Sequence, residues 1–448
     1  MIDRIKLEKA LEAELKDFKA AHPISAELYS QGRNHLLYGV PMNWMQMWPG
    51  GFPITVREAW GSELTDVDGH RYDDFCLGYS AAFNGHAPAQ IIEKLTEQMG
   101  KGSVYTLPSM NAAEAGERLE KRFGLPVWGF ALSATDANRF ALRICRQITG
   151  RRKILVFNGC YHGTVSESFA VLEDGKVQNR QGNIGPAYNM DTTTEVIEFN
   201  DFEKLEKALV AEEIACLLME PVMTNAGIIH PEPGFLDACR ELTKKTGTVW
   251  IIDEAHTITA GPSGYSGAAG LAPDMLILGK CIGGGFPVGC YGMRREIAEE
   301  LYSRTKAEFA DTSGIGGTMT GSPLAMAAII ATLDSGMTEE NYSKSVGMAM
   351  EFTAGINRVI NKYELPFSTN IVGARAEYVF SPTLAKNAYE SFQKLDHELY
   401  EYFFTASLNR GFLMSPYLNI MASFSAAANM EAIIRHEAIF EELVLNII

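Results

Sequence analysis

Cysteine is sparse in this sequence, and what there is does not pair. Seven cysteines, at 76, 145, 160, 216, 239, 281 and 290, are scattered over 448 residues with no CxxC spacing. An odd, dispersed set excludes a disulfide framework and a cysteine zinc site, and it suits a reduced, cytoplasmic setting; no metal is expected. Basic stripes are also missing. With 39 Lys and Arg against 55 Asp and Glu, the net charge of −16 argues against nucleic acid, whose binding rests on phosphate neutralisation. No apolar run is long enough to span a bilayer, so no membrane partner is expected. The opening MIDRIKLEKALEAELKDFKAAHP mixes acids, bases and apolar residues at helical spacing, unlike a signal or transit peptide. Internal repeats, low-complexity tracts and long linkers are absent as well.

What is present is an ordinary globular composition, 46% apolar and 21% charged, in a chain longer than a single core supports. More than one lobe follows. Residues 3–20 read as an amphipathic helix. Residues 24–54 carry few periodic signals but hold Arg33, Asn34, His35, Tyr38, Trp44, Met45, Met47 and Trp48, either lining a pocket or forming satellite core. Alternation and the turn DVDG make 55–79 a β-meander. Helices follow around 86–102 and at 111–124, the second stopped by Gly124.

From 128 to 330 short apolar strands alternate with helical patterns, as in a mostly parallel sheet covered on both faces. WGFAL, KILVF, IACLLM, TVWII and MLIL each end in polar or small residues. In an open parallel sheet those ends share one rim, where a site is assembled from distant sequence. After about 335 a helix, a strand pair around ARAEYVF and GFLMSP, and a closing helix at 430–446 read as a separate α+β lobe. The expected division is 1–54 as N-terminal helix and active-site segment, 55–334 as large domain with the meander lent to the small one, and 335–448 as small domain.

Lys280 follows MLIL after a single glycine, Gly279, and opens the glycine-rich KCIGGGFPVG. A strand-end lysine there is a solvated cap, a phosphate contact, or a desolvated amine able to form a Schiff base with a carbonyl cofactor. Asp253 ends TVWII, where a buried acid needs a partner: the N–H of a pyridine-type ring, or an arginine. Ser133, Ala134 and Thr135 open a helix and offer either a phosphate cradle or an ordinary N-cap. Tyr161 and His162 follow KILVF, where a ring stacks on a flat cofactor or joins the core. Gly317 and Thr318 offer a second loop-to-helix start for phosphate oxygens.

Together these are the parts of a pyridoxal phosphate site, and the residues that carry them resemble the class III aminotransferases of the fold type I pyridoxal phosphate enzymes, the family that includes glutamate-1-semialdehyde aminomutase. LGKCIGGGFPVG is similar to the family's lysine motif, IIDEAH to its aspartate motif and TGRRKILVFNGCYHG to its stacking-aromatic motif; EPVMTNAGIIHPEPGFL and GGTMTGSPLAMAA match too. The resemblance runs from about residue 50 to the end. It implies an α/β fold type I architecture, a large domain with a mostly parallel seven-stranded sheet plus a smaller α+β domain, with pyridoxal 5′-phosphate as cofactor. It implies Lys280 as the Schiff-base lysine and proton carrier, and Asp253 as partner of the ring nitrogen. Ser133, Ala134 and Thr135, standing where the family has Ser-Gly-Thr, would hold the phosphate, and Tyr161 would stack on the ring. Thr318 would reach the phosphate of a neighbouring subunit, hence a homodimer with shared sites.

The implied reaction is transfer of an amino group between a small amine or amino acid and an oxo acid or aldehyde. An intramolecular aminomutase and an amino-acid racemase are the alternatives on the same fold. Departures mark where specificity lies. Ala134 adds a methyl where the family has glycine and narrows the backbone approach. Ala255 stands where a valine usually covers the ring, and His256 replaces a glutamine or methionine and is a candidate donor to the cofactor's 3′-oxygen. The aminomutase's glycine-rich segment ending in a carboxylate-binding arginine is replaced by QGRNHLLYG, which leaves Arg33, Arg375 or Arg410 for a substrate carboxylate; for Arg375 a surface ion pair with Glu377 is the plainer role. Tyr38 and Glu220 complete the candidate substrate contacts.

Overall fold

The computed structural model describes residues 2–417 and 419–448. Its chain divides into two compact units, Met1–Pro88 with Ser343–Leu384 and Lys394–Ile448, and Ala89–Tyr342 with Ala385–Gln393. Each has its own apolar core.

The first unit begins with helix α1 (Arg4–Ala21), capped by Asp3, whose carboxylate accepts the N–H groups of Ile5 and Lys6. A second helix, α2 (Pro23–Gly32), follows at once. It was not expected in 24–54; proline at its first position, where the missing N–H costs nothing, starts it over too few residues for periodicity to show. The meander forms as read, with β1 (Val56–Trp60), β2 (Glu63–Asp66) and β3 (Arg71–Asp74) paired antiparallel.

The second unit starts with α3 (Ala89–Lys101) and α4 (Asn111–Phe123), the latter closed by Gly124 in the left-handed region at φ 77°. Strand β4 (Val127–Ala131) leads to α5 (Ala134–Thr149), and β5 (Lys153–Phe157) leads to the hairpin β6 (Ala170–Glu173) and β7 (Lys176–Asn179). Then come β8 (Thr194–Ile197), β9 (Ile214–Met219), β10 (Val249–Asp253), β11 (Met275–Leu278) and β12 (Gly289–Met293).

Seven of these make one sheet in the order β4-β12-β11-β10-β9-β5-β8. Pairing is parallel from β11 through β10, β9 and β5 to β8; β12 alone runs antiparallel, to both β11 and β4. Every residue of β9, β10 and β11 is buried, which is why they read as unbroken apolar runs. GCYGM, the sequence of β12, did not read as a strand because its glycines hide the pattern. Those glycines make room for rings: a Cβ on Gly129 would lie 2.2 Å from the Tyr291 ring, and one on Gly292 2.7 Å from the Trp128 ring.

The rest of the first unit adds β13 (Ser368–Val372), β14 (Arg375–Val379), β15 (Phe412–Leu413), β16 (Ser415–Tyr417) and β17 (Asn419–Ser423). The expected pairing of ARAEYVF with GFLMSP does not form. Phe412–Leu413 pairs with β3 of the meander, whereas β14 sits between β13 and β17. One apolar stretch thus serves two sheets, changing over at Met414. The second unit thus carries the expected mostly parallel seven-stranded sheet, and the first is a smaller α+β unit.

Candidate active site

The parallel strands place the ends of β4, β5, β9, β10 and β11 on one edge of the sheet, so Ser133, His162, Glu220, Asp253 and Lys280 all leave that edge within the second unit.

Asp253 closes β10 and is only 3% exposed. Its Oδ2 accepts hydrogen bonds from Asn138 Nδ2 at 2.8 Å and His162 Nδ1 at 2.9 Å, and its Oδ1 accepts from the Ala255 N–H at 2.9 Å. Burial, the largest single influence, pushes its pKa up, but the His162 hydrogen bond and charge, Asn138 and the Ala255 N–H together hold it below the ordinary carboxylate value. Burial works on His162 in the opposite sense; the Cys160 sulfur and the Asp253 carboxylate outweigh it and push the imidazole up to about 10. Sequence reading noted His162 only as a neighbour of Tyr161 and did not find Asn138. A signal for Asn138 existed: it is fully buried among Ala137, Phe140 and Ala141 on the apolar face of α5, where an amide needs a reason.

Ser133 caps α5, its Oγ accepting the Asp136 N–H at 3.3 Å. The first N–H groups of this 16-residue helix have no intrahelical acceptor. Three glycines press on the turn. A Cβ on Gly279 would lie 2.7 Å from the Ala134 methyl, one on Gly289 would lie 2.4 Å from the Ser133 carbonyl, and one on Gly163 would lie 2.0 Å from Thr135 Oγ1. The Ala134 methyl therefore packs over Gly279, in the space that glycine leaves. Thr135 Oγ1 also accepts the Thr164 N–H at 3.2 Å, tying the turn after β5 to the helix start.

Lys280 is half-buried and opens a one-turn helix, Lys280–Gly283, immediately after Gly279. Its φ is +49°, a left-handed conformation that costs a non-glycine residue about 1–2 kcal/mol and persists where the surroundings enforce it. The Gly279–Ala134 contact fixes the approach of that turn to the helix start.

Glu220, 5% exposed, follows β9. It accepts from the Thr224 N–H at 3.1 Å, the Thr224 hydroxyl at 2.5 Å and Asn225 Nδ2 at 2.9 Å. Burial raises its pKa despite these bonds and the nearby His162 charge. Because the Thr224 proton goes to Glu220, His256 Nδ1, 2.5 Å from the same hydroxyl, acts as donor.

Tyr161 is half-buried, edge-on to Phe169 at 6.3 Å, and burial pushes its phenol up to about 12. Thr318 is exposed. Arg33 and Tyr38 belong to the first unit and are exposed, Tyr38 with φ +62°. Arg375 is not on the surface: at 1% exposure it sits in β14 with a terminal nitrogen 2.6 Å from the Met421 sulfur, and Glu377 is equally buried, so neither has the surface setting expected of it. Arg410 is committed to Glu14 at 2.8 Å and Glu442 at 3.0 Å.

A buried, ionised carboxylate at a strand end, a glycine-walled helix start and a strand-end lysine fit a phosphorylated pyridine aldehyde, the carboxylate for a ring N–H and the helix start for the phosphate. The family described as "Aminotransferase class-III" matches residues 45–379. The chain belongs to this family. Its cofactor is pyridoxal 5′-phosphate.

Among curated relatives, glutamate-1-semialdehyde 2,1-aminomutase 2 of Halalkalibacterium halodurans is 33% identical over 370 residues, 81% of this chain and 84% of its own. Glutamate-1-semialdehyde 2,1-aminomutase of Methanosphaera stadtmanae is 33% identical over 403 residues, 88% and 91% respectively. Among solved structures, a glutamate-1-semialdehyde aminomutase of Pseudomonas aeruginosa matches with 39% identity and a TM-score of 0.96, covering 100% of both chains. A lysine-to-alanine variant of that class from the same organism, in complex with PMP, matches with 38% identity and the same TM-score. A β-phenylalanine aminotransferase of Variovorax paradoxus is 26% identical, with a TM-score of 0.84 over 97% of each chain.

Proposed function

We propose that this pyridoxal phosphate enzyme is an aminomutase of the glutamate-1-semialdehyde type, moving an amino group between neighbouring carbons of one small amino aldehyde. The whole-chain similarity to the Pseudomonas aeruginosa enzyme carries this reading. It takes precedence over the two-substrate aminotransferase favoured by the residues alone. That second reading keeps support from the Variovorax paradoxus aminotransferase and from the absence of the expected arginine-ended segment near residue 33.

When bound, the cofactor supplies a carbonyl for amine capture and a ring that delocalises the electrons of a broken C–H bond. The remaining roles belong to the chain. Lys280 would anchor the cofactor through its ε-amine and, when released by the substrate amine, would carry a proton between the reacting carbon and the cofactor's C4′. Asp253, kept ionised by His162, Asn138 and the Ala255 N–H, holds the ring N–H and stabilises positive charge there. Ser133 and the N–H groups of Ala134 and Thr135 would hold the phosphate, Tyr161 would stack on the ring, and His256, steadied by Thr224 and Glu220, would serve the 3′-oxygen. Arg33 and Arg375 are the candidate carboxylate partners, with Tyr38 beside Arg33 in sequence. Thr318, exposed on a loop that also displays Phe309 and Met319, serves the phosphate of a second subunit in a homodimer; sedimentation at a single chain's mass would refute this.

The deciding experiment supplies glutamate-1-semialdehyde to the holoenzyme without any oxo acid. Sustained isomerisation supports the aminomutase. Turnover that stops after one equivalent and resumes only with pyruvate or 2-oxoglutarate overturns it in favour of the aminotransferase.

A further inference from the structure

We propose that His22, Asp66 and His70, in the unit that does not contain Lys280, form a binding site for a divalent cation of the zinc type. No spacing along the chain announces the trio, because the tertiary fold brings its members together.

His22 is at once the last cap of α1 and the first of α2, and it is 2% exposed. Its Nδ1 lies 2.6 Å from the Phe18 carbonyl oxygen; a carbonyl only accepts, so Nδ1 carries the proton and Nε2 is turned into the cluster. An imidazole oriented by a backbone carbonyl in this way is the usual posture of a metal-ligating histidine. Asp66 ends β2 and is fully buried, its Oδ1 accepting the His70 N–H at 2.8 Å. The other oxygen, Oδ2, stands 3.5 Å from His22 Nε2 and 3.1 Å from His70 Nδ1. The Tyr72 hydroxyl is 2.8 Å from both Oδ2 and His22 Nε2.

The His22 ring nitrogen that faces Asp66 carries a lone pair, because the His22 proton is committed to Phe18, and the buried carboxylate shares the Tyr72 hydroxyl with it and also meets the His70 ring. A cation would take the lone pairs of His22 Nε2, Asp66 Oδ2 and His70 Nδ1 together. His22 Nε2, Asp66 Oδ2 and His70 Nδ1 lie within 4.8 Å of one another, and ligands about 2.1 Å from a common tetrahedral ion stand about 3.4 Å apart. Two of the three separations are already near that value. The His70 side chain is 42% exposed, and a cavity of about 680 Å³ lined by Glu14, Asp17, His22, His70, Tyr72 and Arg410 gives an entry path and room for water ligands. Two imidazoles and one carboxylate suit Zn²⁺ or Co²⁺ and not the all-oxygen preference of Mg²⁺ and Ca²⁺. Bound there, the ion fastens the α1–α2 junction to the β2–β3 turn, where Asp68 already accepts the Ile24 and Ser25 N–H groups at 2.7 and 3.0 Å.

The test titrates chelator-treated, desalted holoenzyme with Zn²⁺ and Co²⁺. One equivalent per chain is expected, with Co²⁺ giving the visible absorption of a low-symmetry nitrogen–oxygen site. His70→Gln, a change at a partly exposed side chain, should weaken binding by at least about 10-fold with amino-group turnover and circular dichroism unchanged. His22→Gln should do the same if it folds. Retention of less than about 0.1 equivalent, or equal binding by wild type and His70→Gln, overturns the site and leaves the cluster as a hydrogen-bonded group.

Discussion

His162 and His436 are both 1% exposed, yet their surroundings drive them to opposite charge states. His162, in the second unit, donates to the Asp253 carboxylate at 2.9 Å and is pushed up to about 10. His436, in the first unit, is enclosed by rings: Phe352 stacked at 5.2 Å, Phe412 at 5.1 Å and Phe75 at 5.9 Å. Neither of its nitrogens has a hydrogen-bond partner among the described residues, and burial alone lowers it to about 3. The same side chain at the same depth is a charge holder in one core and an aromatic filler in the other. Burial sets the stakes; the partner decides the sign. Around His162 the second unit's interior is polar where chemistry is proposed; around His436 the first unit's interior is aromatic packing.

The largest effect that would break this comparison comes from the chemical side. Lys280→Ala should lower turnover on the order of 10³-fold or more while leaving the thermal transition nearly in place, as expected of a residue that moves a proton and packs little. Turnover within 10-fold of wild type would remove Lys280 from the mechanism. Asp253→Asn acts on both levels. It leaves the charge of His162 buried and uncompensated, a loss on the order of 3 kcal/mol, and it weakens cofactor retention, read by dialysis and absorbance. A variant that retained both would show that the pair is ordinary packing.

Much of the site was legible because strands that end in chemistry leave a local mark. MLIL followed by Lys280, and TVWII followed by Asp253, are patterns within a few residues, and the parallel sheet converts them into neighbours. What escaped is what neighbours impose from elsewhere. Asn138, His162 and Asp253 meet across 115 positions, so only the oddity of a buried amide in α5 hinted at the contact. The Ala134 methyl looked like an obstruction in sequence; the structure gives it the space above Gly279. Arg375 read as a carboxylate partner or as one half of a surface ion pair, but every residue of β14 is buried. Strand β12 and the changeover at Met414 were hidden for related reasons, glycine erasing the pattern in one and a single apolar run serving two sheets in the other.

The pH dependence sharpens the comparison more finely. His162 has a folded pKa above its unfolded value of about 6.5, so its contribution to stability is complete below that pH and is lost as pH rises toward about 10. Asp253, held below its ordinary value, adds stability above pH 4 or so that disappears on acidification. His162→Gln should therefore flatten the alkaline limb of a melting-temperature profile. A limb unchanged in that variant would separate His162 from alkaline stability.

His436 gives the smallest effect and the cleanest sign. Its folded pKa of about 3 lies below the unfolded value, so between those limits the unfolded chain binds a proton that the folded chain does not, and stability falls as pH drops from about 6.5. At pH 5 the deficit is about 2 kcal/mol, from 1.4 kcal/mol per pH unit. For a chain of this size that is a shift of only a few degrees. His436→Phe keeps a ring against Phe352 and removes the titrating nitrogens, so it should match wild type near pH 8 and exceed it at pH 5. A variant that loses stability equally at both pH values would mean that His436 holds a partner, and the contrast with His162 would be one of partner identity instead of partner absence.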